Sequence, residues 1–86
     1  MSTIDNEQLI KKLIENDGYY EGDPQVYLIV EYTNAYGNKT WGVTWSNELP
    51  ERRLRYLIPT EFVQNPKIIW ACDDAKKRFE NAKYYE

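Results

Sequence analysis

Four carboxylates, Glu15, Asp17, Glu21 and Asp23, crowd around Gly18-Tyr19-Tyr20 in one short stretch. Acidic groups beside rings suit two tasks: holding a cation, or meeting a basic surface on another protein. Calcium loops need a fixed ligand spacing and a closing glutamate, and this stretch has neither. The second task is therefore the sharper expectation. The plainer one is a solvated loop with one tyrosine tucked under a helix. A second group is Arg52, Arg53 and Arg55. Guanidinium forks recognise phosphate or carboxylate through paired hydrogen bonds. On an edge strand the same charges would simply discourage aggregation. The Tyr84-Tyr85 pair near the C-terminus offers a small interface or one more ring for the core.

Other chemistry is missing from the residue kit. There is no histidine, which removes Ser-His-Asp and Cys-His catalysis and imidazole metal ligation. The single cysteine, Cys72, cannot build a four-ligand zinc site or an internal disulfide. None of the four glycines forms a Walker loop or a dinucleotide fingerprint. Paired carboxylates can cleave glycosides, but they need a substrate cleft that a chain of this length hardly encloses. The expectation is a protein that is not an enzyme and uses no metal or cofactor.

With 86 residues the chain makes one domain, 1–86, burying roughly 60% of its unfolded surface. Aromatic residues make up 15%, and large rings supply apolar area that a small core needs. The net charge of −3 is uneven: residues 1–31 carry −5, residues 32–60 carry +2, and the remainder balances. That balance weighs against general phosphate binding. Absent a leader or an apolar span, and with one free cysteine, the expected location is the cytoplasm (host cytoplasm if the gene is viral), away from any membrane. The sequon at Asn38-Lys39-Thr40 is then a coincidence of pattern.

The elements that would position these groups can be read from periodicity. Leu9, Ile10, Leu13 and Ile14 make a helical stripe within a helix from Thr3 to Asn16, with Thr3 or Asp5 as cap and Asn16-Asp17-Gly18 as the stop. Val26–Tyr32 and Thr40–Trp45 alternate as strands joined by a hairpin at Asn34-Ala35-Tyr36-Gly37. Arg53–Ile58 alternates as a third strand, ended by Pro59. The last third has two readings. Asn65-Pro66 starts one long helix, whose stripe is Ile68, Ala71, Cys72, Ala75, Phe79 and Ala82. Alternatively, Lys67–Ala71 is a fourth strand, with a shorter helix capped at Asp73 or Asp74. The periodic stripe favours the long helix.

The expected fold is therefore α+β in two layers. An antiparallel sheet of three strands, or four, carries an N-terminal and a C-terminal helix on one face. Pairing Thr33 with Asn38 would bring Val26, Leu28, Val30, Trp41, Val43 and Trp45 to the covered side. It would leave Tyr27, Ile29, Glu31, Thr40, Thr44, Arg53, Arg55 and Leu57 on an open face.

Tyr19, Tyr20, Glu21 and Asp23 of the loop, with Tyr27, Ile29, Glu31, Arg53 and Arg55 of that face, are the candidate partner-binding residues. The functional expectation is a protein-binding module for a larger protein. One concrete form is a virus- or mobile-element-encoded inhibitor of a nucleic-acid-processing enzyme, its carboxylates standing in for phosphates. The alternatives are a nucleic-acid-binding module using Tyr27, Arg53 and Arg55, and a structural homo-oligomer subunit. The order helix, three strands, helix is shared with double-stranded-RNA-binding domains. Their basic, Gly- and Lys-rich second-helix start is replaced here by Asn65-Pro66-Lys67 and then Asp73-Asp74. That function is therefore not carried over.

Overall fold

The computed structural model describes residues 6–80. The expected caps Thr3 and Asp5, the stripe residue Ala82 and the Tyr84-Tyr85 pair lie outside the described residues. Helix α1 spans Asn6–Glu15, strand β1 Val26–Thr33, strand β2 Lys39–Trp45, a 3-10 helix Arg52–Leu57, strand β3 Gln64–Ala71 and helix α2 Asp73–Phe79. The three strands form one antiparallel sheet in the order β2-β1-β3. The α+β class and the helix at each end are as expected.

The layering differs. Ile10 and Leu13 of α1 pack with Val26 and Ile29, and against Trp41, Val43 and Trp45. Ala75 and Phe79 of α2 and Leu57 of the 3-10 helix pack with Leu28, Val30 and Ile68 on the other face. The sheet is thus a middle layer, with helical elements on both sides. Central strand β1 is buried throughout Val26–Val30, each residue at most 4% exposed. An unbroken apolar run such as Val-Tyr-Leu-Ile-Val is what a strand covered on both faces requires.

The expected open face does not exist, because the 3-10 helix and α2 cover it; register decides which residues lie on each side. Thr33 pairs with Lys39, not Asn38. The hairpin loop is one residue longer than expected, because Asn34 organises it. The Asn34 N–H donates to the Asn38 carbonyl at 2.9 Å, and Asn34 Oδ1 accepts from the N–H groups of Tyr36 and Asn38 at 2.9 and 3.0 Å. The slip places Leu28 opposite Thr44 and Val30 opposite Gly42. A bulge at Tyr27 then restores Val26 opposite Trp45. A bulge moves the following side chains to the opposite face. Tyr27 and Ile29, expected outside, are 4% and 0% exposed, Tyr27 beneath the 3-10 helix and α2 and Ile29 beneath α1.

Two further expectations are corrected. Residues 52–57 form a 3-10 helix where a strand was expected. The face of β2 beneath it carries only Thr40, Gly42 and Thr44, and Tyr56 lies on Gly42 so closely that an added Cβ would overlap its ring. Three residues per turn bring Leu54 and Leu57 to one side, an arrangement that simple alternation misreads. The third strand is instead Gln64–Ala71, so the shorter-helix reading of the C-terminal third holds. Asn65 has φ 53°, and Pro66 sits on an edge strand, where a missing N–H is tolerated. The N-cap position of α2 is Cys72, which makes no side-chain capping bond, and not Asp73 or Asp74 as expected; those two lie in the first turn and Lys76, Lys77 and Arg78 in the last, matching the helix dipole.

Candidate partner-binding surface

The loop between α1 and β1 is closely tied to the fold. Helix α1 ends in a Schellman motif: the N–H of Gly18 donates to Leu13 at 2.7 Å and that of Asp17 to Ile14 at 3.3 Å. The residue in the first left-handed position is Asp17, φ 54°, followed by Gly18 at φ 86°. Gly18 is needed for a second reason. A Cβ there would lie 2.5 Å from the Trp70 ring. The Gly18 carbonyl accepts from Val26 at 2.8 Å, and the Asp17 carbonyl accepts from Gln25 Nε2 at 2.9 Å. Asn16 closes the turn, its carbonyl accepting from the Tyr19 N–H and its Nδ2 donating to the Tyr19 carbonyl at 2.7 Å.

A second tight turn follows. Glu21 and Gly22 have φ 47° and 81°, and the Asp23 N–H donates to Tyr20 at 3.0 Å. These are the features of a type I′ turn, in which Asn or Gly usually takes the position held here by Glu21. Tyr20 packs against the cluster formed by α1 and Ile29, while Tyr19 remains half exposed. Lys12, Glu15 and Asn16 of α1 and Tyr19, Tyr20 and Glu21 of the loop line an open concavity of about 500 Å³. Of the four candidates in the loop, Tyr19, Tyr20 and Glu21 line this concavity; Asp23 closes the second turn outside it.

The other candidates are dispersed. Ile29 is in the core. Glu31 lies opposite Trp41 and pairs with Lys39 at 3.8 Å. The Arg53 guanidinium lies 4.6 Å from the centre of the buried Tyr27 ring, so that ring offers no open face for a nucleobase. Arg53 Nε and Thr44 Oγ1 are both buried without a hydrogen-bond partner.

Arg55 belongs to a network that sequence reasoning missed. It forms an ion pair with Glu48, donates to the Arg52 carbonyl at 2.9 Å and reaches the Val43 carbonyl at 3.5 Å. It also lies 5.0 Å from the centre of the Tyr56 ring, which stacks on Tyr32 at 5.6 Å. Glu48 Oε1 accepts from the Trp45 N–H at 2.9 Å. The hydrogen bond from Arg55 holds the Glu48 carboxyl below its ordinary pKa, overriding the opposite effect of burial, and the same bond raises Arg55. Burial, and then Tyr56, raise the Tyr32 phenol. The available signal was Gly42 inside a strand, which marks a close approach by another element.

Among the described residues, no cluster of three acidic, cysteine or histidine side chains could hold a metal ion. Among them, too, no helix is long and apolar enough to cross a membrane. No protein-family model, curated protein or solved structure matches this chain.

Proposed function

We propose that this chain is a small, non-enzymatic protein-binding module, which presents the loop 15–23 to a basic surface on a larger partner in the cytoplasm. The observation that carries this reading is a half-exposed Tyr19 set among exposed carboxylates on a loop held by main-chain hydrogen bonds. A loop already ordered before binding loses little entropy on association. Tyrosine adds contact area with few rotatable bonds. Carboxylates at the rim steer a basic partner by long-range attraction. Glu21 in a left-handed conformation supports the same reading, since backbone strain collects where a side chain has a task beyond folding. In its concrete form the partner is a nucleic-acid-processing enzyme, whose phosphate-binding groove the loop blocks.

The test is affinity capture from cells of the source organism with the native chain and with a Tyr19→Ser/Glu21→Lys/Asp23→Lys variant. The native chain should retain a basic partner that elutes as salt rises, and the variant should retain none. A partner held equally by both would refute the assignment of this surface.

A further inference from the structure

Strand β2 is at one edge of the sheet. The Trp45 N–H bonds to the Glu48 carboxylate and the Val43 carbonyl reaches Arg55, so both groups point away from β1. Alternation along a strand turns the N–H and C=O of Trp41 and the N–H of Val43 the same way. The two members of one ion pair therefore occupy two outward main-chain groups of this edge, while those of Trp41 are left open. The opposite edge, β3, is guarded differently: it contains Pro66, a left-handed Asn65 and two register breaks against β1.

We infer that the Glu48–Arg55 pair is a guard on β2, and that the edge it covers is a pairing surface for a second copy of this chain. The segment is self-complementary when two copies run antiparallel about Gly42. Trp41 then faces Val43 of the second copy, and the two exchange both main-chain hydrogen bonds once Arg55 leaves the Val43 carbonyl. Thr40 faces Thr44, and Lys39 faces Trp45. The first is a favourable cross-strand pair; the second sets an ammonium against an indole, as Lys39 already does with Trp41 at 6.0 Å. Lys39 is the one charge in the strand and lies at its start. Antiparallel pairing separates the two ammonium groups by the length of the strand, so like charges do not oppose association. A second copy fits this edge because the strand's one charge, Lys39, then faces Trp45 of the other copy and not a second lysine.

The test is Glu48→Ala/Arg55→Ala, with mass followed by light scattering across a concentration series and main-chain amide exchange followed by NMR. The native chain should stay monomeric, with fast exchange at Trp41 and Val43. The variant, which has lost both side chains that occupy the edge, should double in mass as concentration rises, with both amides becoming protected. Tyr19→Ser added to this variant should leave the dimer intact, which separates the edge from the loop surface. A double variant that remains folded and monomeric at millimolar concentration overturns the inference. So does a dimer in which Trp41 and Val43 still exchange freely. If the double variant does not fold, Arg55→Met alone clears the Val43 carbonyl, and the same two readouts decide.

Discussion

Two parts of this molecule each rest on a glycine beneath an aromatic ring, and they use their charges in opposite ways. In the loop after α1, Gly18 lies against Trp70; in the seam between β2 and the 3-10 helix, Gly42 lies against Tyr56. The seam commits its carboxylate to the fold: Glu48 holds both the Arg55 guanidinium and the Trp45 N–H. In the loop, main-chain groups together with Asn16 and Gln25 do the holding, while the side chains of Glu15, Asp17, Glu21 and Asp23 stay exposed. Charge bonded internally stabilises a structure. Charge left in water on an ordered frame is available to a partner.

The two glycines should give the largest effects when substituted. Gly18→Ala meets both a left-handed backbone and the Trp70 ring, so it should destabilise the fold by about 3 kcal/mol or more in chemical denaturation. Gly42→Ala has ordinary backbone geometry and only the Tyr56 ring to displace, so a loss of about 1–3 kcal/mol is expected from the same measurement. A Gly42→Ala chain as stable as the native one would show that Tyr56 does not rest there.

Smaller changes sharpen the contrast. Glu48→Gln should cost about 1 kcal/mol, since Arg55 is partly exposed and water screens the pair. The sign with pH follows from the lowered pKa. Glu48 contributes stability that is fully present above its ordinary value of 4.5 and is lost as pH falls through its folded-state value. Thermal unfolding from about pH 7 to about pH 3 should therefore narrow the gap between the native chain and Glu48→Gln. A gap that stays constant would dissociate Glu48 from the seam. At the lower end, Glu21→Asn should raise stability by about 0.5 kcal/mol, because Asn tolerates the left-handed conformation better. A loss of stability there would mean that Glu21 is held by the fold and not strained.

How far the sequence revealed this depended on which signal was local. The body of helix α1, its stop at Asn16-Asp17-Gly18, the presence of a hairpin between β1 and β2 and the acidic loop were legible, because turn residues and periodicity act over a few residues. The sides of β1 were not. They depend on a five-residue turn organised by Asn34 and on a bulge at Tyr27, and either one inverts the outcome. The continuous apolar run of β1 contained the warning that both its sides are covered. The segment Arg53–Ile58 alternates as a strand would, yet Gly42 and its flanking threonines leave room above β2 that the Tyr56 ring fills. Ile68-Ile69-Trp70 had β-branched and aromatic character that a helical stripe of small residues outweighed wrongly; pairing with β1 decided it.

The most direct measurement places three proteins side by side: the native chain, Glu21→Lys/Asp23→Lys, and Glu48→Gln, each with its melting curve and its yield of captured partner. Reversing the loop charges should leave stability within about 0.5 kcal/mol and abolish capture, whereas Glu48→Gln should lower stability and still capture. Undiminished capture by the loop variant, or its loss only in Glu48→Gln, would contradict the assignment of the loop as the binding surface.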